Sequence, residues 1–196
     1  LDEVRMASEL ISNSLHKAAG LISSFKQIAV DQTNDQRRDF DLQEAVRDTI
    51  ATYTPRLRRA NCEVVLEIEP SLRFDSYPGS LYQILNNLMN NALNHAFTGR
   101  DSGTITVRGE PAADGMVALT FSDDGVGMTD DVLRRVFDPF FTTRMGQGGT
   151  GLGMHIVYNI VNAVLGGRIS VTSTPDAGTS VRMLLPRTAP QKDTAR

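Results

Sequence analysis

A helix that gives five of nine positions to asparagine needs a reason. Asn86, Asn87, Asn90, Asn91 and Asn94 crowd the middle of residues 78–97, whose apolar side chains recur with helical spacing. Pro78 suits the first turn of that helix. At 100° per residue, Leu81, Ile84, Leu85, Leu88, Ala92 and Ala96 fall on one arc. Asparagine lies roughly 0.6–0.7 kcal/mol below alanine in helix propensity, so the run costs about 3 kcal/mol. Asn87 and Asn91, four apart, project together from the edge of the apolar arc. Two carboxamide oxygens at a core boundary can ligate a hard cation such as Mg²⁺, alongside waters and substrate phosphates. The plain alternative is a solvated polar face, and the cost of the cluster favours a functional one.

Around this helix the chain alternates strands and helices. Asp41 and Glu44 form a capping box for a helix carrying Leu42, Ala45, Val46, Ile50, Tyr53 and Leu57 on one face. Val64, Leu66 and Ile68 alternate as a strand, with a short one near 72–74. Residues 103–110 and 116–123 read as a strand pair around the turn Ala113-Asp114-Gly115, 151–165 as a helix, and 168–174 with 179–185 as a hairpin. Paired strands with helices between them argue α+β with a mixed, mostly antiparallel sheet. Residues 188–196 read as a disordered tail.

Val4, Ser8, Ile11, Leu15, Ala18, Ile22, Phe25 and Ala29 alternate steps of four and three, and Leu21 with Ile28 widens the stripe. Residues 1–32 are therefore expected to be a bundle-forming helix, followed by a polar linker over 33–40. With 20 basic and 23 acidic residues, and no basic run beyond two, bulk electrostatic capture of nucleic acid is excluded. No apolar run approaches the roughly 18–20 residues of a membrane span. Cys62 is the only cysteine, which fits a reducing compartment, and a cytoplasmic location is expected. The chain opens on Leu1 and is expected to be part of a longer protein.

Two glycine motifs follow the asparagine helix. Asp123-Asp124-Gly125-Val126-Gly127 closes a strand, where glycines let the backbone approach a flat ligand and the carboxylate can accept from an exocyclic amine such as that of adenine. Gly146, Gly148, Gly149, Gly151 and Gly153 lead into a helix start, the arrangement of a phosphate site. Each is an ordinary turn signal by itself. Between them lies Phe137-Asp138-Pro139-Phe140-Phe141-Thr142-Thr143-Arg144, whose three aromatics read either as a hinged flap that docks on a core or on a partner or as a satellite hydrophobic cluster.

Together and in this order, the motifs resemble those of the ATP-binding catalytic domain of two-component sensor histidine kinases, within the ATPase superfamily that also holds type II topoisomerases, mismatch-repair ATPases and heat-shock chaperones. QILNNLMNNALNHAF resembles the N box, DDGVGM, GGTGLGMHIV and the stretch around Gly178–Thr179 the glycine boxes, and FDPFFTTR the F box. The resemblance covers 41–187 and implies a two-layer α/β sandwich, the Bergerat fold, with helices on one face of the sheet and ATP beneath a lid. It implies that Asn91 holds Mg²⁺ with help from Asn87, that Asn94 or His95 lies near the phosphates, and that Asp123 reads the adenine amine. Gly125 and Gly127 would shape the adenine pocket, Thr179 would sit near it, Gly149, Thr150, Gly151, Leu152 and Gly153 would line the phosphates, and Arg144 would reach the γ-phosphate.

Hydrolysing members of the superfamily place a glutamate four residues before the Mg²⁺-binding asparagine. That position is Asn87 here, which favours transfer to a protein side chain over attack by water. Asn87, Asn91 and Arg144 are accordingly the catalytic candidates. The first helix resembles the second helix of a kinase dimerisation hairpin, implying a homodimer in the parent protein and a response regulator as partner. His16 lacks the neighbouring acid of a phosphoacceptor motif, and His155 reads as a packing residue. The alternatives are a stand-alone ATPase or conformational switch of the same superfamily, and a scaffold that binds no nucleotide.

Overall fold

The computed structural model of the chain describes residues 36–143 and 150–191. The expected bundle helix with His16, the residues 144–149 that include Arg144 and Gly149, and 192–196 lie outside the described residues.

Five strands form the main sheet: β2 (Cys62–Ile68), β4 (Gly103–Pro111), β5 (Met116–Asp123), β6 (Arg168–Ser173) and β7 (Thr179–Pro186). Their order is β2-β4-β5-β7-β6, with β2 and β4 parallel and every other neighbour antiparallel. Alternation decides which face carries the large apolar side chains, with the small Ala118 also buried on the other. Ile105, Val107, Val117, Leu119, Phe121, Val181, Met183 and Leu185 are buried, while Arg108 and Arg182 stay exposed between them. Register stacks Leu119 opposite Met183 and Phe121 opposite Val181, so the apolar face is continuous across the central strands.

Helices cover that one face. α1 (Leu42–Ala51), α2 (Thr54–Arg59), α3 (Pro78–Asn91), α4 (Asp130–Arg134) and α5 (Gly153–Asn159) are the regular ones. A parallel strand pair needs a crossover, and α3 lies on the connection from β2 to β4. It opens on Pro78, buries the apolar arc read from the sequence and packs against both α1 and α5. α3 and α5 each continue into a wider turn, Ala92–Ala96 and Ile160–Val164, whose bonds reach one residue further than α-helical ones. The result is the two-layer α+β sandwich with helices on one face.

Three boundaries differ from the sequence reading. The helix expected to run past Tyr53 to Leu57 breaks after Ala51, because Pro55 has no N–H to give and instead opens α2. The end of the expected linker forms β1 (Arg38–Asp41), antiparallel to β3 (Arg73–Ser76) with Phe40 stacked on Phe74 at 5.9 Å. Asp41 does cap α1, accepting from the Glu44 N–H at 3.0 Å. The first residues of the expected tail are packed: Ala189 is buried, its N–H donates to the Asp75 carbonyl, and Tyr77 donates its hydroxyl to the Pro190 carbonyl at 3.1 Å.

Candidate functional site

A cleft of about 690 Å³ runs between the second half of α3, the adjoining ends of β5 and β7, and the start of α5. That volume suits a small-molecule ligand. Ten expected site residues line it: Asn87, Asn91, Asn94 and His95 from α3 and its wide turn, Asp123 at the end of β5 with Gly127 just beyond, Thr150 and Gly151 before α5 with Gly153 opening it, and Thr179 on β7.

One end is built by β5, β6 and β7. Asp123 pairs with Thr179, and Thr179 with Ser173. Burial pushes the Asp123 carboxyl above the usual carboxylate range, and the backbone N–H groups of Gly125 and Thr179 pull it back by donating to it. Ser173 donates its hydroxyl to the Gly178 carbonyl at 2.8 Å and accepts from the Met128 N–H at 2.9 Å. The Thr179 hydroxyl, 2.9 Å away, therefore donates to Ser173 and keeps only acceptor capacity for the cleft. Two acceptors side by side match an exocyclic amine and repel a ring carbonyl.

The loops beyond these strands interlock through glycine. Gly127 has φ +65°, and a Cβ there would stand 2.0 Å from the Thr174 carbonyl oxygen. Gly178 has φ +82°, and its Cβ would lie 1.9 Å from the Asp123 oxygen. Only glycine accepts both the conformation and the approach. Gly125 sits behind the cleft, not in its wall: a Cβ would meet the Ala96 oxygen at 2.4 Å, and the next residue, Val126, donates its N–H to that same oxygen at 2.8 Å.

The other end is made of carboxamides. Asn87 donates its Nδ2 to the Gln83 carbonyl at 2.8 Å, which leaves Oδ1 as its free end. Gly153 opens α5 directly opposite, and a Cβ there would lie 3.2 Å from Asn87 Oδ1 and 3.5 Å from Asn91 Oδ1. The Asn87 oxygen and the Asn91 carboxamide, whose Oδ1 and Nδ2 stand 3.5 and 3.7 Å away, thus face a gap that a methyl group would fill, and carboxamide oxygens are donors that fit Mg²⁺. Leu152 turns away from the cleft into the core, because at the start of α5 an apolar side chain gains more from burial there than from a polar groove. Arg144 and Gly149 lie outside the described residues.

Sequence reasoning missed several contributors. Arg56 donates to Asn90 Oδ1 at 2.5 Å and Asn94 Oδ1 at 3.1 Å, and Tyr53 donates to Asn86 Oδ1 at 2.9 Å. Val132, Val136, Phe141 and Met154 supply an apolar wall. Residues 132–137 do read as a short amphipathic turn and Phe141 as part of the flap motif, but their place in the wall of the cleft is not legible from spacing. Ser173 could be found only from strand register. His155 binds the Phe137 carbonyl at 3.1 Å and Tyr158 meets the Phe137 ring at 5.1 Å, so α5 anchors the segment after α4.

A cleft with paired acceptors at one end and carboxamides at the other is of the kind that a nucleotide-binding domain presents. Residues 77–189 match the family described as Histidine kinase-, DNA gyrase B-, and HSP90-like ATPase, and the chain belongs to that family. It is 36% identical over 154 residues to the sensor histidine kinase ZraS of Klebsiella oxytoca, covering 78% of this chain and 32% of that protein. It is 32% identical over 190 residues to the C4-dicarboxylate transport sensor protein DctB of Pseudomonas aeruginosa, covering 94% of this chain and 30% of that one. The chain thus spans about a third of these relatives' length. The solved catalytic domain of histidine kinase ThkA superposes with a TM-score of 0.69 at 26% identity, over 78% of this chain and 97% of that domain. The domain is of the histidine kinase ATP-binding type. Among the described residues, no helix is long and apolar enough to cross a membrane.

Proposed function

We propose that this chain is the ATP-binding catalytic part of a sensor histidine kinase, which transfers the γ-phosphoryl group of ATP to a histidine on a dimerisation helix for relay to a response regulator. The parent protein would act as a homodimer through that helix, with this domain in the cytoplasm. The observation that carries the reading is the polarity of the cleft: acceptors alone at the Asp123–Thr179 end, and free carboxamide oxygen at the Asn87–Asn91 end.

Phosphoryl transfer asks little covalent chemistry of the protein and depends on positioning and charge neutralisation. Asp123 and Thr179 orient the base, with Gly127 and Gly178 giving their loops the close approach this needs. Asn91 and Asn87 would hold Mg²⁺, which when bound supplies charge neutralisation at the phosphates. Water is a poor nucleophile without a base, and Asn87 is a carboxamide whose N–H is committed to the Gln83 carbonyl. The position therefore favours a protein acceptor over hydrolysis.

Titration of the chain with ATP and GTP, with and without Mg²⁺, tests the binding part. ATP should be preferred; Asp123→Asn should weaken it with or without metal, and Asn91→Ala should remove mainly the Mg²⁺-dependent gain. Parent-like binding by both variants refutes the site. Fusion to a dimerisation hairpin bearing its own histidine should yield acid-labile phosphorylation on that histidine. Rapid phosphate release with no labelled protein would favour the stand-alone ATPase instead.

A further inference from the structure

The asparagines of α3 and of the wide turn that continues it are not chemically equivalent. A carboxamide offers an oxygen and an NH₂, and whichever end a neighbour occupies leaves the other for a ligand. Asn87 has its nitrogen occupied by the Gln83 carbonyl and presents oxygen. Asn94, two turns further on, lines the cleft and accepts from Arg56 Nη2 through its oxygen, so its N–H groups are the end left for a ligand. Asn90, between them, also lines the cleft, and its oxygen takes Arg56 Nη1. The Arg56 guanidinium lies 5.6 Å from the centre of the Tyr53 ring, so the fork is held from both sides.

Charge sharpens the contrast. Among the described residues, no lysine or arginine lines the cleft, and Arg56 has no carboxylate partner. Its charge is directed onto the oxygens of two carboxamides that line the cleft, Asn90 and Asn94, which leaves their N–H groups for a ligand. Polarisation by a cation strengthens such a donor. A donor backed by a cation suits an anion and disfavours a metal ion.

We propose that Arg56 is a positioning residue for the phosphate chain of the nucleotide: it fixes Asn94 as an N–H donor to phosphate oxygen and makes the cleft prefer polyphosphates to monophosphate or nucleoside. This rests on the ATP reading above and adds a residue from α2, an element that supplies no wall of the cleft. The asparagines of α3 and its wide turn thereby divide into a cation-facing end and an anion-facing end.

Calorimetric titration of the chain with adenosine, AMP, ADP and ATP, in Mg²⁺, tests it. Arg56→Ala should weaken ATP and ADP about five- to tenfold, in line with the loss of one charge-assisted contact, and leave adenosine and AMP within about twofold. In an Asn94→Ala background, Arg56→Ala should change ATP affinity by less than about twofold, because its route is already gone. Arg56→Lys should recover part of the loss, which a purely structural role would not produce, and it stands in if the alanine variant misfolds. Equal weakening of all four ligands, full additivity with Asn94→Ala, or no effect would overturn the proposal while leaving the ATP reading intact. A parent chain that binds none of the four would overturn both.

Discussion

Replacing Gly153 with alanine should separate stability from metal-dependent binding. Gly153 is the first residue of α5 and has an ordinary backbone conformation, so alanine adds no backbone strain. The added methyl would meet Asn87 Oδ1 at 3.2 Å, a few tenths tighter than comfortable, and Asn91 Oδ1 at 3.5 Å. Glycine to alanine gains up to about 1 kcal/mol in a helix interior, less in the first turn, and this roughly offsets the crowding. The ligand-free Tm should therefore move by no more than about 2–4 °C, the shift for ~1 kcal/mol in a domain of this size. Binding should not be spared, because the methyl occupies the gap that both carboxamides face. Disturbing the surroundings of metal ligands commonly costs about 10- to 100-fold in metal affinity, so the gain in ATP affinity on adding Mg²⁺ should shrink by that order. The assay pairs thermal melts with ATP titrations in Mg²⁺ and in EDTA. An undiminished Mg²⁺-dependent gain would refute the cradle, and so would an equal loss in EDTA.

Asp123→Asn should weaken ATP yet hold or raise the ligand-free Tm at pH 7. A carboxyl whose folded pKa is raised supports the fold while protonated and loses that contribution as pH climbs from its unfolded value, about 3.9, through the raised one. The variant's advantage should therefore fade as pH falls toward about 4, and a large Tm drop at pH 7 would show that its hydrogen bonds outweigh burial. Deleting residues 187–196 removes the bonds joining Asp75 to Arg187 and Ala189, and Tyr77 to Pro190. At about 1 kcal/mol each, the loss is roughly 3 kcal/mol, and Tm should fall by about 6–12 °C; a drop under 2 °C would show that this segment contributes nothing in solution.

What the sequence made legible was periodic. The alternation through Val117, Leu119 and Phe121 and the arc from Leu81 to Ala96 state which face is dry, and the burial follows them. β1 escaped notice because Arg38-Asp39-Phe40-Asp41 has one apolar residue and pairs with a single partner, so it carries no alternation to read. The break before α2 is written in Pro55, but Leu57 keeps the helical phase and masks it. The asparagine cluster was conspicuous by its cost. Which end of each carboxamide is free was not, since the deciding contacts from Tyr53 and Arg56 span more than thirty residues and obey no local period.

The wide turn at Ala92–Ala96 bears on how this domain tolerates change in length. An α-helix turns roughly 100° per residue, so two patches on one helix are locked in azimuth unless something resets it. α3 answers to two frames: Asn87 and Asn91 must meet Gly153 on α5, while Ala96 must offer its carbonyl to Val126 and its flank to Gly125. The extra residue in the turn acts as a vernier between those frames, absorbing an offset that regular winding would turn into a clash. A one-residue deletion between 92 and 96 would remove one side chain and leave a regular helix, yet rotate Asn87 and Asn91 out of alignment with Ala96 and the Asp123 end of the cleft. Substitutions within the turn are the milder lesion.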